Sequence, residues 1–67
     1  MSTEEFNMSM RKFLKQVGVT SQQAIEEAMH NAGADATSGK SFDAQMVLTI
    51  DGLEITHVVN GQIAGKT

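Results

Sequence analysis

Hydrophobic side chains near the amino terminus recur with the spacing of an amphipathic helix. The stripe, with offsets of one, three and four, consists of Phe6, Met10, Phe13, Leu14 and Val17. Ser2 precedes Glu5 by the spacing of a capping box, which satisfies backbone N–H groups at a helix start. Gly18 is the residue type that commonly follows the end of a helix. The pattern predicts a first helix over residues 3–17.

A second helical pattern begins directly after Gly18. Thr20 and Gln23 repeat the capping-box spacing, and Gly33 supplies a second stop. One helical face would hold the apolar positions Ala24, Ile25, Ala28, Met29 and Ala32. The sequence therefore predicts a second helix over residues 21–32, joined to the first by a short turn.

Residues 33–42 have no hydrophobic period and are mostly small and polar. This composition predicts a surface linker. Gly39–Lys40–Ser41 matches the end of a phosphate-binding loop, but Ala34 stands where that motif requires its first glycine. The phosphate-loop interpretation is therefore rejected.

The last third of the chain alternates between apolar and polar residues, as strands do. Strands are predicted over residues 44–50 and 53–59, because Asp51–Gly52 is a strong signal for a two-residue hairpin turn. Asn60–Gly61 offers a second turn into a short strand over residues 62–64.

The two-residue turn would pair Leu48 with Ile55 and Met46 with His57. That register collects the apolar residues on one face, where they would form the core under the helices. The face consists of Ala44, Met46, Leu48, Ile50, Leu53, Ile55, His57 and Val59. The predicted fold class is α+β, a single domain over residues 1–67 with two helices packed on a small antiparallel meander.

Composition narrows the function classes. The 67 residues include no cysteine, which excludes a disulfide-stapled domain and a cysteine-based zinc site. No apolar run is long enough to span a bilayer and no signal-peptide pattern is present, so we expect a cytoplasmic protein without membrane contact. The net charge of −3 argues against nucleic acid as a partner.

The two histidines, His30 and His57, are candidates for metal binding and catalysis. Glu26, Glu27 and His30 have helical metal-ligand spacing, but the first helix offers no carboxylates at matching depth. His57 would lie on the apolar face with Asp43 near that end of the hairpin, yet no serine nucleophile with an oxyanion donor accompanies them. We therefore expect a non-enzymatic protein with no catalytic residues, no metal site and no cofactor.

A helix-turn-helix over residues 14–32 is the alternative function. Its glycine turn and threonine-capped second helix are typical of DNA-binding regulators. The second helix carries Gln22 and Gln23, which can read adenine edges. It has no lysine or arginine, and phosphate contacts supply most non-specific affinity for DNA. We expect a protein-interaction module instead.

The outer face of the sheet predicts where the chain associates. If Asn60–Gly61 is a turn, Ile63 pairs with Val58 and joins Val47 in an exposed apolar cluster. A chain this short has a thin core, so we expect a homodimer, with an unidentified protein partner as a further candidate. Either this face or the uncharged edge Ala44–Ile50 would form the interface, unless the linker or the carboxy-terminal residues cover the face.

Two segments carry a resemblance to known proteins. FNMSMRKFLKQVGVTSQQAIE and LTIDGLEITHVVNGQI resemble a group of short, uncharacterised bacterial proteins classed as a domain of unknown function. The resemblance implies a bacterial, cytoplasmic protein. It implies no activity, ligand or site residue.

Overall fold

The computed structural model describes residues 2–65, and residues 1, 66 and 67 lie outside the described part. The elements in chain order are α1 (Thr3–Ala32), α2 (Ala34–Thr37), β1 (Ser41–Thr49) and β2 (Thr56–Ala64). Helices followed by an antiparallel hairpin confirm the α+β class. The chain divides into two compact units between Asn31 and Ala32, and the expected single domain over residues 1–67 stays a prediction.

α1 is one continuous helix of 30 residues. The prediction of separate helices over residues 3–17 and 21–32 is therefore wrong. Gly18 lies inside the helix and does not have the positive φ of a helix-ending glycine. A glycine in a helix interior costs only about 1 kcal/mol relative to alanine, which the helix-forming residues on both sides can offset.

The hydroxyl of Thr20 explains why no new helix begins at this point. It donates to the carbonyl of Gln16 at 2.9 Å and also lies 3.4 Å from that of Val17. A hydroxyl turned back onto the preceding turn does not cap the N–H groups that follow it. The cap at Ser2 does form, since its Oγ accepts the backbone N–H of Glu5 at 3.1 Å.

Residues 33–42 are more regular than the predicted linker. Gly33 has a φ of 86°, which ends α1, and its carbonyl accepts both the N–H of Ala36 and the hydroxyl of Thr37. α2 follows, and β1 already begins at Ser41. The four residues of α2 are too few to show a hydrophobic period, which is why the sequence pattern did not reveal this helix.

The hairpin is longer and pairs differently from the prediction. Leu48 lies opposite His57, and Thr49 opposite Thr56 closes the ladder. The predicted strand bounds of 44–50, 53–59 and 62–64 are wrong, because Asn60–Gly61 continues β2 and the described sheet has only two strands.

The backbone at Asp51–Gly52 accounts for the changed register. A two-residue type I′ turn requires positive φ at both residues, but only Gly52, at 88°, has it. Leu53 donates its N–H to the carbonyl of Ile50 at 3.1 Å, so a turn forms with a positive φ at its third residue alone, as in type II. Type II turns do not match the twist of paired strands, and the strands begin to pair only beyond Ile55.

The expected core does not form within residues 2–65. No hydrophobic side chain in this part of the chain is buried, and the one buried residue there is Thr37, at 2% exposure. Part of the predicted apolar face of the hairpin is confirmed. The register differs from the prediction by two residues, an even number, so Met46, Leu48, His57 and Val59 still lie on one face.

Candidate interaction surface

One face of the hairpin carries a ladder of polar side chains. Gln45 donates its amide to Asn60 at 3.0 Å, and one register step further Gln62 donates to Asp43 at 3.1 Å. In these cross-strand hydrogen bonds, the side-chain amides are satisfied by polar groups of the neighbouring strand. The ladder thus identifies the polar face of the hairpin and leaves it little apolar area.

Val47 and Val58 interrupt this polar face as a directly opposed pair. They are 52% and 43% exposed. Ile63 does not join them, because it lies opposite Phe42 on the other face. The prediction of a three-residue cluster is therefore wrong in one member: the structure brings Val47 and Val58 together and places Ile63 elsewhere.

The second face of the hairpin is apolar. Phe42, Met46 and Val59 are exposed on it, and Leu48 and Ile63 are half-buried. Sequence reasoning missed Phe42 because it started β1 at residue 44. The alternation from Phe42 through Ala44 and Met46 is the signal that would have found it.

Both strands have an edge without a described neighbour, since the described sheet contains only β1 and β2. The segment Ala44–Ile50 carries no charged residue. Uncharged edges without proline readily accept another strand. The edge remains a candidate for strand pairing, as the sequence predicted.

α1 carries a longer apolar stripe than the sequence prediction recognised. With Gly18 inside the helix, the spacing of four, three and four residues repeats every eleven residues along the whole element. The stripe positions are Phe6, Met10, Phe13, Leu14, Val17, Ser21, Ala24, Ile25, Ala28 and Ala32. Phe6 is 53% and Phe13 49% exposed. The assumed break at Gly18 hid this repeat.

Beyond the acidic first turn with Glu4 and Glu5, charge is divided along α1. Arg11, Lys12 and Lys15 form a basic cluster in its first half, and Glu26 and Glu27 lie in its second half. Glu26 accepts a hydrogen bond from the amide of Gln22 at 3.1 Å.

The structure separates His57 from the carboxylate of Asp43. His57 faces Leu48 across the apolar face, whereas Asp43 lies on the polar face with Gln62. The two side chains therefore point to opposite sides of the hairpin. Within the described residues, no three carboxylate, imidazole or thiol groups lie close enough to hold a metal ion.

The helix-turn-helix alternative over residues 14–32 is wrong. α1 runs without interruption through that segment, so no turn presents a second helix to a DNA groove. Within residues 2–65, no helix combines the length and the apolar content that crossing a bilayer requires.

Comparison with known proteins identifies a family. The model of a family described as "Family of unknown function (DUF6494)" matches residues 1–66. No curated protein and no solved structure is significantly similar to the chain.

Proposed function

Because the chain belongs to DUF6494, a family of unknown function, we propose a function from its surfaces: a non-enzymatic interaction module that self-associates. The observation that carries this proposal is the exposure of large apolar side chains on both compact units, with none buried among residues 2–65. A folded chain of this size needs apolar burial for its stability, and a second copy can supply it. An unidentified protein partner would meet the same need.

The non-enzymatic part of the proposal is supported by the arrangement of polar groups. The amides and the Asp43 carboxylate of the polar face bond to one another across the strands. His57 has an apolar neighbour across the ladder, and the carboxylate of Asp43, which was the candidate to orient it, lies on the other face of the hairpin. We also propose a bacterial, cytoplasmic setting, on the basis of the resemblance to short bacterial proteins.

Light scattering coupled to size-exclusion chromatography tests the self-association. At tens of micromolar we expect the mass of two chains, falling towards that of one chain on dilution. A mass of one chain throughout the series, together with a cooperative thermal transition, would overturn the proposal because the isolated chain would then be stable alone.

A further inference from the structure

We propose that two copies of the chain associate through the apolar stripe of α1, in antiparallel orientation, with the two-fold axis at the level of residue 19. This inference rests on the proposed self-association and names the surface that performs it. It concerns the stripe defined above and the charged residues of α1.

The stripe is symmetric about position 19. Reversing the helix about this position exchanges stripe residues only with other stripe residues. The exchanged pairs are Phe6 with Ala32, Met10 with Ala28, Phe13 with Ile25, Leu14 with Ala24, and Val17 with Ser21. A two-fold interface requires such self-complementarity, because each residue of one copy meets its exchanged residue of the other copy.

The pairs are also complementary in size. Most bulky residues of the stripe lie in its first half, whereas its second half holds three alanines together with Ile25. An antiparallel pair sets Phe6 against Ala32, Met10 against Ala28 and Leu14 against Ala24, so three large side chains meet alanine, and Phe13 meets Ile25. A parallel pair would set phenylalanine against phenylalanine at one end and alanine against alanine at the other, which crowds one end and leaves space at the other.

The charges favour the same orientation. In the antiparallel pair, Arg11 and Lys12 of one copy lie at the levels of Glu27 and Glu26 of the other copy. In a parallel pair, the basic cluster of one chain would lie at the level of the same basic cluster in the other chain. The two glutamates would likewise lie at the level of their equivalents. Like charges at equivalent levels oppose association, whereas opposite charges steer it.

Disulfide trapping tests the orientation, and the absence of cysteine from the sequence makes the background clean. The variant carries Met10→Cys together with Ala28→Cys and is oxidised in a glutathione buffer. A disulfide needs Cα atoms within about 7 Å, and the two positions lie about 27 Å apart within one helix. We expect covalent dimers in which position 10 of one chain is bonded to position 28 of the other.

Trypsin cleavage at Arg11 and Lys15 separates the two thiols onto different peptides, so mass spectrometry identifies which positions are joined. Bonds joining position 10 to position 10 would overturn the inference in favour of a parallel pair. The matched control is Met8→Cys with Ala28→Cys, since Met8 is 72% exposed and lies off the stripe. It should give little covalent dimer.

A second variant, Leu14→Cys with Ala24→Cys, repeats the test nearer the axis, with Lys15 again between the thiols. Circular dichroism identifies which variant retains the helix. Only the cross-links of such a variant are informative about the interface. Absence of specific bonds in a folded variant whose light-scattering mass is two chains would overturn the α1 interface and leave the proposed self-association standing. A one-chain mass for the unmodified protein would overturn both.

Discussion

Gly18 and Gly33 are the same residue type in two backbone conformations, and α1 passes through the first and ends at the second. Gly33 has a φ of 86° and a ψ of 157°, a conformation that is essentially restricted to glycine. Gly18 has no such φ, and the Thr20 hydroxyl behind it bonds backwards along the same helix. The neighbouring hydrogen bonds, and not the glycine itself, distinguish the two sites.

Alanine substitutions at these two glycines should have opposite effects. Gly18→Ala should stabilise the protein by about 1 kcal/mol, because alanine is the better helix former. Gly33→Ala should destabilise it by about 1–3 kcal/mol, because a Cβ strains that backbone conformation. Urea unfolding followed by circular dichroism measures both. Destabilisation by Gly18→Ala would mean that the helix breaks there, as the sequence pattern suggested.

Gly65 is required for a different reason, which is close approach. Its N–H donates to the carbonyl of Lys40 at 2.7 Å, and a Cβ built on it would collide with the carbonyl oxygen of Thr37. Thr37 is the buried residue among the described residues of this unit, and its hydroxyl donates to the carbonyl of Gly33. The end of β2 is thereby held against α2.

Gly65→Ala should therefore destabilise the hairpin unit by about 1–3 kcal/mol, the usual cost of inserting a group into filled space. Gly61→Ala is the matched control, because Gly61 lies in β2, close in sequence to Gly65, and a Cβ built on it has no atom within 4 Å. It should be neutral or slightly stabilising. Equal melting temperatures for the two variants would contradict the contact with Thr37.

At the scale of elements, the sequence predicts the periodicity of the helix and of the strands but not where each element begins and ends. The helical stripe, the cap at Ser2, the stop at Gly33 and the apolar face of the hairpin all follow from short-range spacing. The continuity of α1 depends on a small balance at Gly18, and the hairpin register depends on the φ of Asp51. Neither the continuity of the helix at Gly18 nor the backbone conformation of Asp51 can be predicted from residue type alone.

The candidate surface was likewise predicted where it depends on periodicity and missed where it depends on the boundaries of elements. The cross-strand pairing of Val47 with Val58 follows from register, and a shift of two residues keeps both on one face. Ile63 was assigned to the wrong face because the sequence prediction inserted a turn at Asn60–Gly61. The full stripe of α1 was missed for the corresponding reason, an inserted break.

The register of the hairpin can be tested with a designed ion pair. Thr49 and Thr56 are direct partners in the structure, whereas a two-residue turn at Asp51–Gly52 would set Thr49 against Glu54. The cycle Thr49→Lys with Thr56→Glu should give a coupling of about 0.2–1 kcal/mol in urea unfolding. The control cycle, Thr49→Lys with Glu54→Gln, should give none. Coupling to Glu54 alone would restore the shorter turn.

For the whole molecule, size limits what one copy can bury. A chain of 67 residues gains little net stability from its own core, and disulfide bonds cannot form without cysteine. Among residues 2–65 the large apolar side chains are exposed on α1, on both faces of the hairpin and at the loop residue Leu53. If association supplies the missing burial, folding and dimerisation are linked by mass action.

This linkage predicts a melting temperature that depends on protein concentration. A hundredfold dilution removes about 2.7 kcal/mol per dimer, which lowers the melting temperature by about 10 °C at the usual unfolding entropy of two such chains. Leu14→Lys, on the α1 stripe, should abolish the dependence by preventing association, whereas Met8→Lys, off the stripe, should preserve it. Calorimetry across the dilution series measures the effect. A melting temperature that stays constant over that range would show that one chain folds alone, because only association makes the transition depend on concentration.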